Sequence, residues 1–250
     1  MGQEVARMST GRTLLQVNGA TKRFGGLVAV SGMTFDVKEH EVMGIIGPNG
    51  SGKTTMMNLI SGELRVTSGS IAMQGRQLSQ LPAHKVSRLG VARTFQLVRI
   101  LPGLSVIENV IAGGAFGHSR RWGDDALHFA QTLLDRLGLA DHMYQPVGAL
   151  TYIDQKRLEL ARALASEPQV LLLDEWLAGL NPTELQIGID LISDLRKEGR
   201  TIILVEHVMD AIRSLCDRCV VMNSGKKIAE GKPSEVLSDP EVIRAYLGDE

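Results

Sequence analysis

Gly47-Pro48-Asn49-Gly50-Ser51-Gly52-Lys53-Thr54 constrains the fold of this chain more than any other stretch. It satisfies the pattern G-x-x-x-x-G-K-[ST] at every position. The apolar run Val42-Met43-Gly44-Ile45-Ile46 precedes it and a helical pattern, Lys53 to Ile60, follows. The order is therefore buried strand, loop, helix. Glycines let such a loop curl until successive backbone N–H groups converge on phosphate oxygens, and the helix adds its positive N-terminal end. In such a loop Lys53 is expected to reach the β- and γ-phosphates and the Thr54 hydroxyl to ligate Mg²⁺, with Thr55 beside them. A Gly-rich turn with a solvated lysine is the plain alternative, and the complete match and its flanks oppose it.

Three further runs read as buried parallel strands: Val170 to Leu173, Thr201 to Val205, and Cys219 to Met222. Helical patterns, Thr183 to Glu198 and Val208 to Leu215, alternate with them, which predicts an α/β sheet covered on both faces. Leu14 to Val17, Met33 to Val37 and Gly69 to Gly75 predict a small antiparallel sheet beside this core. From Leu97 to Ser166 strand signals fade. Leu127, Ala130, Leu133, Leu134 and Leu137 lie at helical spacing before a stop at Gly138, so a helical subdomain is expected here. Gly113-Gly114 and Gly117 read as a flexible loop flanking it. The tail ends in a helix starting at Ser238-Asp239-Pro240-Glu241.

Polar groups close the predicted strands. Asp174-Glu175 follows one apolar run, where a sheet edge binds ligands. Asp174 suits the Mg²⁺ shell, and Glu175 suits deprotonation of an attacking water. His207 ends the next run and can contact the γ-phosphate. Gln96, at the entrance to the helical stretch, can bind Mg²⁺ or water. Each alone is more often structural; their value lies in convergence. Cys216 and Cys219 form a C-x-x-C without a second ligand pair and read as packing residues.

Lys+Arg 27 against Asp+Glu 28 gives a net charge of −1, which supplies no bulk polycation for nucleic acid, and none is expected as a partner. No apolar run approaches the ~20 residues that span a bilayer. Met1 to Arg12 is polar and reads as a loose leader, with Met8 as a possible start.

In the order of these motifs the chain resembles the nucleotide-binding subunit of an ATP-binding cassette (ABC) transporter, from about Leu14 to the end. Gly47 to Thr54 matches Walker A, Gln96 the Q-loop, Leu171 to Glu175 Walker B with its catalytic glutamate, Ala178-Gly179-Leu180-Asn181 the D-loop, and His207 the switch histidine. Phe24 falls where the family stacks an aromatic ring on adenine. The resemblance implies a P-loop NTPase (RecA-like) core, residues 13–96 and 166–225, a helical subdomain over 97–165 and a tail over 226–250. It implies ATP and Mg²⁺ as ligands, two membrane permeases, a second cassette and, indirectly, a periplasmic solute-binding protein. The place of work is the cytoplasmic face of the membrane. Arg93-Thr94-Phe95-Gln96, Ile228-Ala229-Glu230-Gly231 and Ala245-Tyr246-Leu247-Gly248 resemble the branch that takes up branched-chain and other hydrophobic amino acids. A soluble cassette ATPase or a low-turnover regulatory cassette is the alternative.

One departure stands out. The family's signature, Leu-Ser-Gly-Gly-Gln with glycine in fourth place, is here Leu150-Thr151-Tyr152-Ile153-Asp154. In the family this segment covers the ATP held by the partner cassette. Ile153 is expected to hold the backbone off that γ-phosphate, and Asp154 adds negative charge. Thr151-x-x-Asp154 also reads as a helix N-terminal capping pair. Impaired closure on the partner's ATP favours a heterodimer over a homodimer.

Overall fold

A computed structural model of the chain describes residues 11–247. The leader expected over residues 1–12 lies, except for Gly11 and Arg12, outside the described residues. In chain order the elements are β1 (Thr13–Phe24), β2 (Leu27–Lys38), β3 (Val42–Ile46), α1 (Lys53–Ile60), β4 (Ser68–Met73), β5 (Arg76–Gln77), α2 (Ala83–Arg88), β6 (Val91–Arg93), α3 (Val106–Phe116) and α4 (Gly123–Arg136). There follow α5 (Tyr152–Ala165), β7 (Val170–Asp174), α6 (Pro182–Lys197), β8 (Thr201–Val205), α7 (Met209–Leu215), β9 (Arg218–Asn223), β10 (Lys226–Gly231), α8 (Pro233–Val236) and α9 (Pro240–Leu247).

The unbroken apolar runs become central strands because both faces of their sheet are covered. Along β3, Ile46 packs into one apolar cluster while Met43 and Ile45 pack into another. Along β7, Leu171 and Leu173 face the first cluster, and Val170 and Leu172 the second. Side chains two apart share a face, so a run without polar alternation fills two cores at once. The sheet order is β10-β9-β3-β8-β7-β6, parallel except for β10 against β9. A second, antiparallel sheet of order β2-β1-β4-β5 contributes Leu15, Val17, Val37 and Ile71 to the second cluster. The three-residue β6 had no readable signal in the sequence; it is short and lies at the sheet edge.

Register fixes where chemistry can occur. Ile45 pairs with Val205, and Asp174 pairs with Val205. The carboxyl ends of β3, β7 and β8 therefore lie side by side, and the residues just beyond them share one edge.

The helical stretch departs from expectation at two points. Gly113 and Gly114 are not a loop: they sit inside α3. A Cβ on Gly113 would lie 2.3 Å from the Arg162 carbonyl oxygen on α5, so these glycines let two helices touch. Gly117 caps α3 under the same constraint, since its Cβ would lie 2.3 Å from that of Ser166. Leu127 is exposed, and the apolar stripe of α4 is completed by buried Ala126. Gly113→Ala is expected to destabilise the fold by about 2 kcal/mol through overpacking, read as a lower midpoint in chemical denaturation. An unchanged midpoint would show that α3 can shift freely.

Cys216 and Cys219 are free and buried. The Cys216 thiol is pushed well above its ordinary value, first by its hydrogen bond with Cys219 and then by burial. A Cβ on Gly44 would lie 2.8 Å from the Cys219 sulfur, so the pair fills space against a bare glycine on β3.

Candidate active site

The loop from Gly47 to Gly52 joins β3 to α1 and follows the expected curl. Gly47 has φ 149°, and a Cβ there would meet the Met222 carbonyl oxygen of β9 at 2.0 Å, so no other residue fits. Lys53 opens α1 and is buried, its ammonium donating to the carbonyls of Gly47 at 2.8 Å and Pro48 at 3.0 Å. Burial lowers the Lys53 pKa, and the nearby Glu175 and Asp174 carboxylates oppose that. Thr54 is exposed beside it and Thr55 is half-buried. A cleft of about 600 Å³ opens over the loop, bounded by Asn49, Gly50, Ser51, Lys53, Thr54, Thr55 and Glu175 and, at its mouth, by Phe24. Phe24 ends β1 with its ring 46% exposed, and the Lys22 ammonium lies 5.1 Å from the ring centre. An exposed aromatic face at the mouth of a phosphate cleft is free to stack on a base.

Three residues proposed from strand ends and the Q-loop meet in one hydrogen-bonded chain. Gln96 donates its amide N–H to Glu175 Oε2 at 2.6 Å, and Glu175 Oε1 lies 2.9 Å from His207 Nε2. Glu175 itself has φ 49°, in the left-handed region that non-glycine residues seldom occupy.

Asp174 is buried and carries a partner that the sequence reading missed. Its Oδ2 accepts from the Arg93 guanidinium at 2.6 Å, and Arg93 also donates to Asn58 and Ser61. The other oxygen, Oδ1, is buried with no partner, as is the Ser51 hydroxyl. An unpartnered carboxylate oxygen at the end of β7 and an exposed Thr54 hydroxyl at the start of α1 suit a hard cation that keeps most of its shell from phosphate and water. The donor set fits Mg²⁺. Among the described residues there is no cluster of three His, Cys, Asp or Glu side chains that could cage a metal unaided.

Glu159, buried on α5, was also missed. It accepts from the Arg99 backbone N–H at 2.9 Å, and burial raises its pKa while the backbone N–H groups of Arg99 and Phe95 pull it down. The α5 helix thereby holds the chain that follows Gln96.

Glu206, just beyond β8, is buried and accepts from the Leu177 N–H at 2.7 Å. Burial is the main cause that pushes its pKa from 4.5 up to about 7. Between those values the unfolded chain ionises this carboxyl while the folded chain keeps it protonated. Stability from this group is thus full below about pH 4.5 and falls as pH rises through about 7, by about 3 kcal/mol at most. Glu206→Gln keeps an acceptor for Leu177 and is expected to remove this decline. Denaturant midpoints at pH 5 and pH 8 check it; an equal pH dependence in both proteins would contradict the assignment.

At the signature, Thr151 caps α5 as expected. Its hydroxyl accepts from the Asp154 N–H at 3.3 Å and donates to Asp154 Oδ2 at 2.5 Å. Asp154 Oδ1 pairs with Arg157 at 3.0 Å, so its charge is largely met within the helix. The Ile153 side chain is buried, because α5 turns that position inward. Thr151 and Tyr152 are the exposed residues at this helix start.

A phosphate loop, an acidic strand end and polar residues from the neighbouring strand and Q-loop, all on one sheet edge, define an ATP-binding cassette ATPase. The chain belongs to the ABC transporter family, whose model matches residues 30–178. Members hydrolyse ATP with Mg²⁺ to power transport, and this chain is such an ATPase. A second model, for branched-chain amino acid ATP-binding cassette transporters, matches residues 226–250. The chain is 42% identical to the high-affinity branched-chain amino acid transport ATP-binding protein LivG of Salmonella typhimurium, across 94% of this chain and 98% of that one. It is 39% identical to BraF of Pseudomonas aeruginosa, across 95% and 99%. A crystal structure of a nucleotide-free ATP-binding cassette superposes with a TM-score of 0.86 at 29% identity, covering 95% of this chain and all of that one.

Proposed function

We propose that this chain is the ATP-hydrolysing subunit of an importer of branched-chain or related hydrophobic amino acids, attached peripherally at the cytoplasmic face of the membrane. The observation that carries the reading is the convergence of Lys53, Gln96, Asp174, Glu175 and His207 on one sheet edge, in a chain whose tail matches the branched-chain transporters. Among the described residues no helix is long and apolar enough to cross a membrane.

In this reading the loop amides, the α1 N-terminus and Lys53 hold the triphosphate, and Phe24 stacks on adenine. Thr54, Asp174 Oδ1 and Gln96 would hold Mg²⁺, which when bound would supply positive charge against the phosphates. Glu175 takes the proton of the attacking water. His207, hydrogen-bonded to Glu175, orients that carboxylate and lies within reach of the γ-phosphate. Gln96, which donates to Glu175 Oε2, couples the Q-loop to the base.

Movement leaves through a surface. A cleft of about 430 Å³ lies between the sheet edge at Ala92 to Phe95 and the helices α3 and α5, with Leu101 and Phe116 exposed around it. Apolar area beside the Q-loop is the expected seat of a permease segment. Two permeases, fed by a periplasmic binding protein, complete the machine. Deleting the gene is expected to abolish uptake of labelled leucine, isoleucine or valine, with rescue by the parental chain but not by Lys53→Ala. Unchanged uptake would sink the transport reading.

The second cassette is a different chain with an intact signature. Support comes from Ile153 and Asp154, which stand where the family has glycine and glutamine. With Asp154 already paired and Ile153 turned inward, the penalty on the partner's ATP rests on the glutamine amide donor that Asp154 lacks. Removing one of several phosphate-facing donors lowers a rate by about 10²-fold. Inactivating one Walker B glutamate at a time in the reconstituted pair is expected to give unequal losses, and equal losses would contradict the asymmetry.

A further inference from the structure

Glu175 occupies a backbone conformation that L-residues adopt only when their surroundings hold them there. Its own backbone makes two bonds outside a regular element. The N–H donates to the Val205 carbonyl at 2.8 Å, and the carbonyl accepts from Ala178 at 3.1 Å. The next residue, Trp176, is fully buried and clasped reciprocally to Lys156 of α5. The Lys156 ammonium donates to the Trp176 carbonyl at 2.9 Å, and the Trp176 indole N–H donates to the Lys156 carbonyl at 3.1 Å. Lys156 is also fully buried, with that carbonyl as its one hydrogen-bond acceptor among the described residues and the Tyr152 ring 5.1 Å away. Burying an ammonium is unfavourable, and an apolar side chain would fill the same space. Besides placing its charge near the Glu159 and Glu206 carboxyls, the ammonium grips one peptide, Trp176–Leu177, one residue beyond Glu175.

We infer that Lys156 and Trp176 are positioning residues for hydrolysis, holding the left-handed backbone of Glu175 so that its carboxylate points at the attacking water. Neither lines the cleft over the phosphate loop. The clasp also ties the catalytic segment to the signature helix. On that helix Tyr152 lies against the D-loop, where a Cβ on Gly179 would sit 3.4 Å from the ring. The segment after Trp176 is held from the other side by the Glu206 bond to Leu177. A base fixed at both ends of its segment needs no reorientation at the moment of reaction, and a misplacement of about 1 Å typically lowers a rate about 10²-fold.

The inference rests on Glu175 being the base, and its test separates the two. Trp176→Phe removes the indole donor and keeps the ring; Lys156→Met removes the ammonium and keeps the stem. ATP turnover of the full-length chain, in the assembly in which it hydrolyses ATP, is normalised to titrated nucleotide sites. Each variant is expected to lower kcat tenfold or more with KM for ATP within twofold. In a Glu175→Gln background, residual turnover followed over hours is expected to be unchanged by either substitution, since a group that acts through Glu175 has nothing left to position. If Trp176→Phe does not fold, Lys156→Met carries the same comparison. A kcat within twofold of the parent, or an equal loss in the Glu175→Gln background, overturns the inference alone. Parental turnover in Glu175→Gln by itself overturns the base assignment and the inference with it.

Discussion

Lys53→Ala abolishes measurable Mg·ATP binding. The ammonium is already drawn into the loop, bonded to the Gly47 and Pro48 carbonyls, and it is the cation poised under the cleft. Each charge-assisted hydrogen bond is worth about 1.5–3 kcal/mol, and contact with both β- and γ-phosphates supplies two of them. A loss of about 10²-fold or more in affinity follows. Titration calorimetry on folded variant and parent decides the matter. Equal heats and equal affinity would show that the loop holds no phosphate through this residue.

Glu175→Gln leaves ATP bound and unhydrolysed. Glutamine is nearly the same shape, and its amide can still bridge Gln96 and His207, which hold the carboxylate at 2.6 and 2.9 Å. What disappears is the ability to take a proton. General-base catalysis contributes about 10²–10⁴-fold, so kcat falls by that order while affinity for ATP stays within a few-fold. Single-turnover hydrolysis beside equilibrium binding separates the two terms. A variant that turns over at the parental rate would remove Glu175 from the chemistry.

Residues whose role depends on near neighbours in the chain could be read early. The loop from Gly47 to Thr54 needs only its own glycines and the strand and helix beside it. Glu175 and His207 could be placed because each follows an apolar run that has to be a buried strand. Gly113 was misread as loop because a glycine inside a helix has no local sign of why it is there; the reason is the Arg162 backbone on another helix. The inward turn of Ile153 depends on how α5 docks, which the local pattern does not show.

The amino-acid sequence determined the phosphate loop, the alternation of strands and helices, and the identities of the acid, amide and imidazole at the strand ends. These follow from local geometry and from apolar runs too long and too uniform to face water. Only the tertiary structure decided that Arg93 neutralises Asp174 across 81 residues, that Glu159 holds the Q-loop, and that Lys156 grips the peptide after Trp176. A buried charge is tolerated only with a partner, and which partner it finds is set by how separate segments pack, not by their order along the chain.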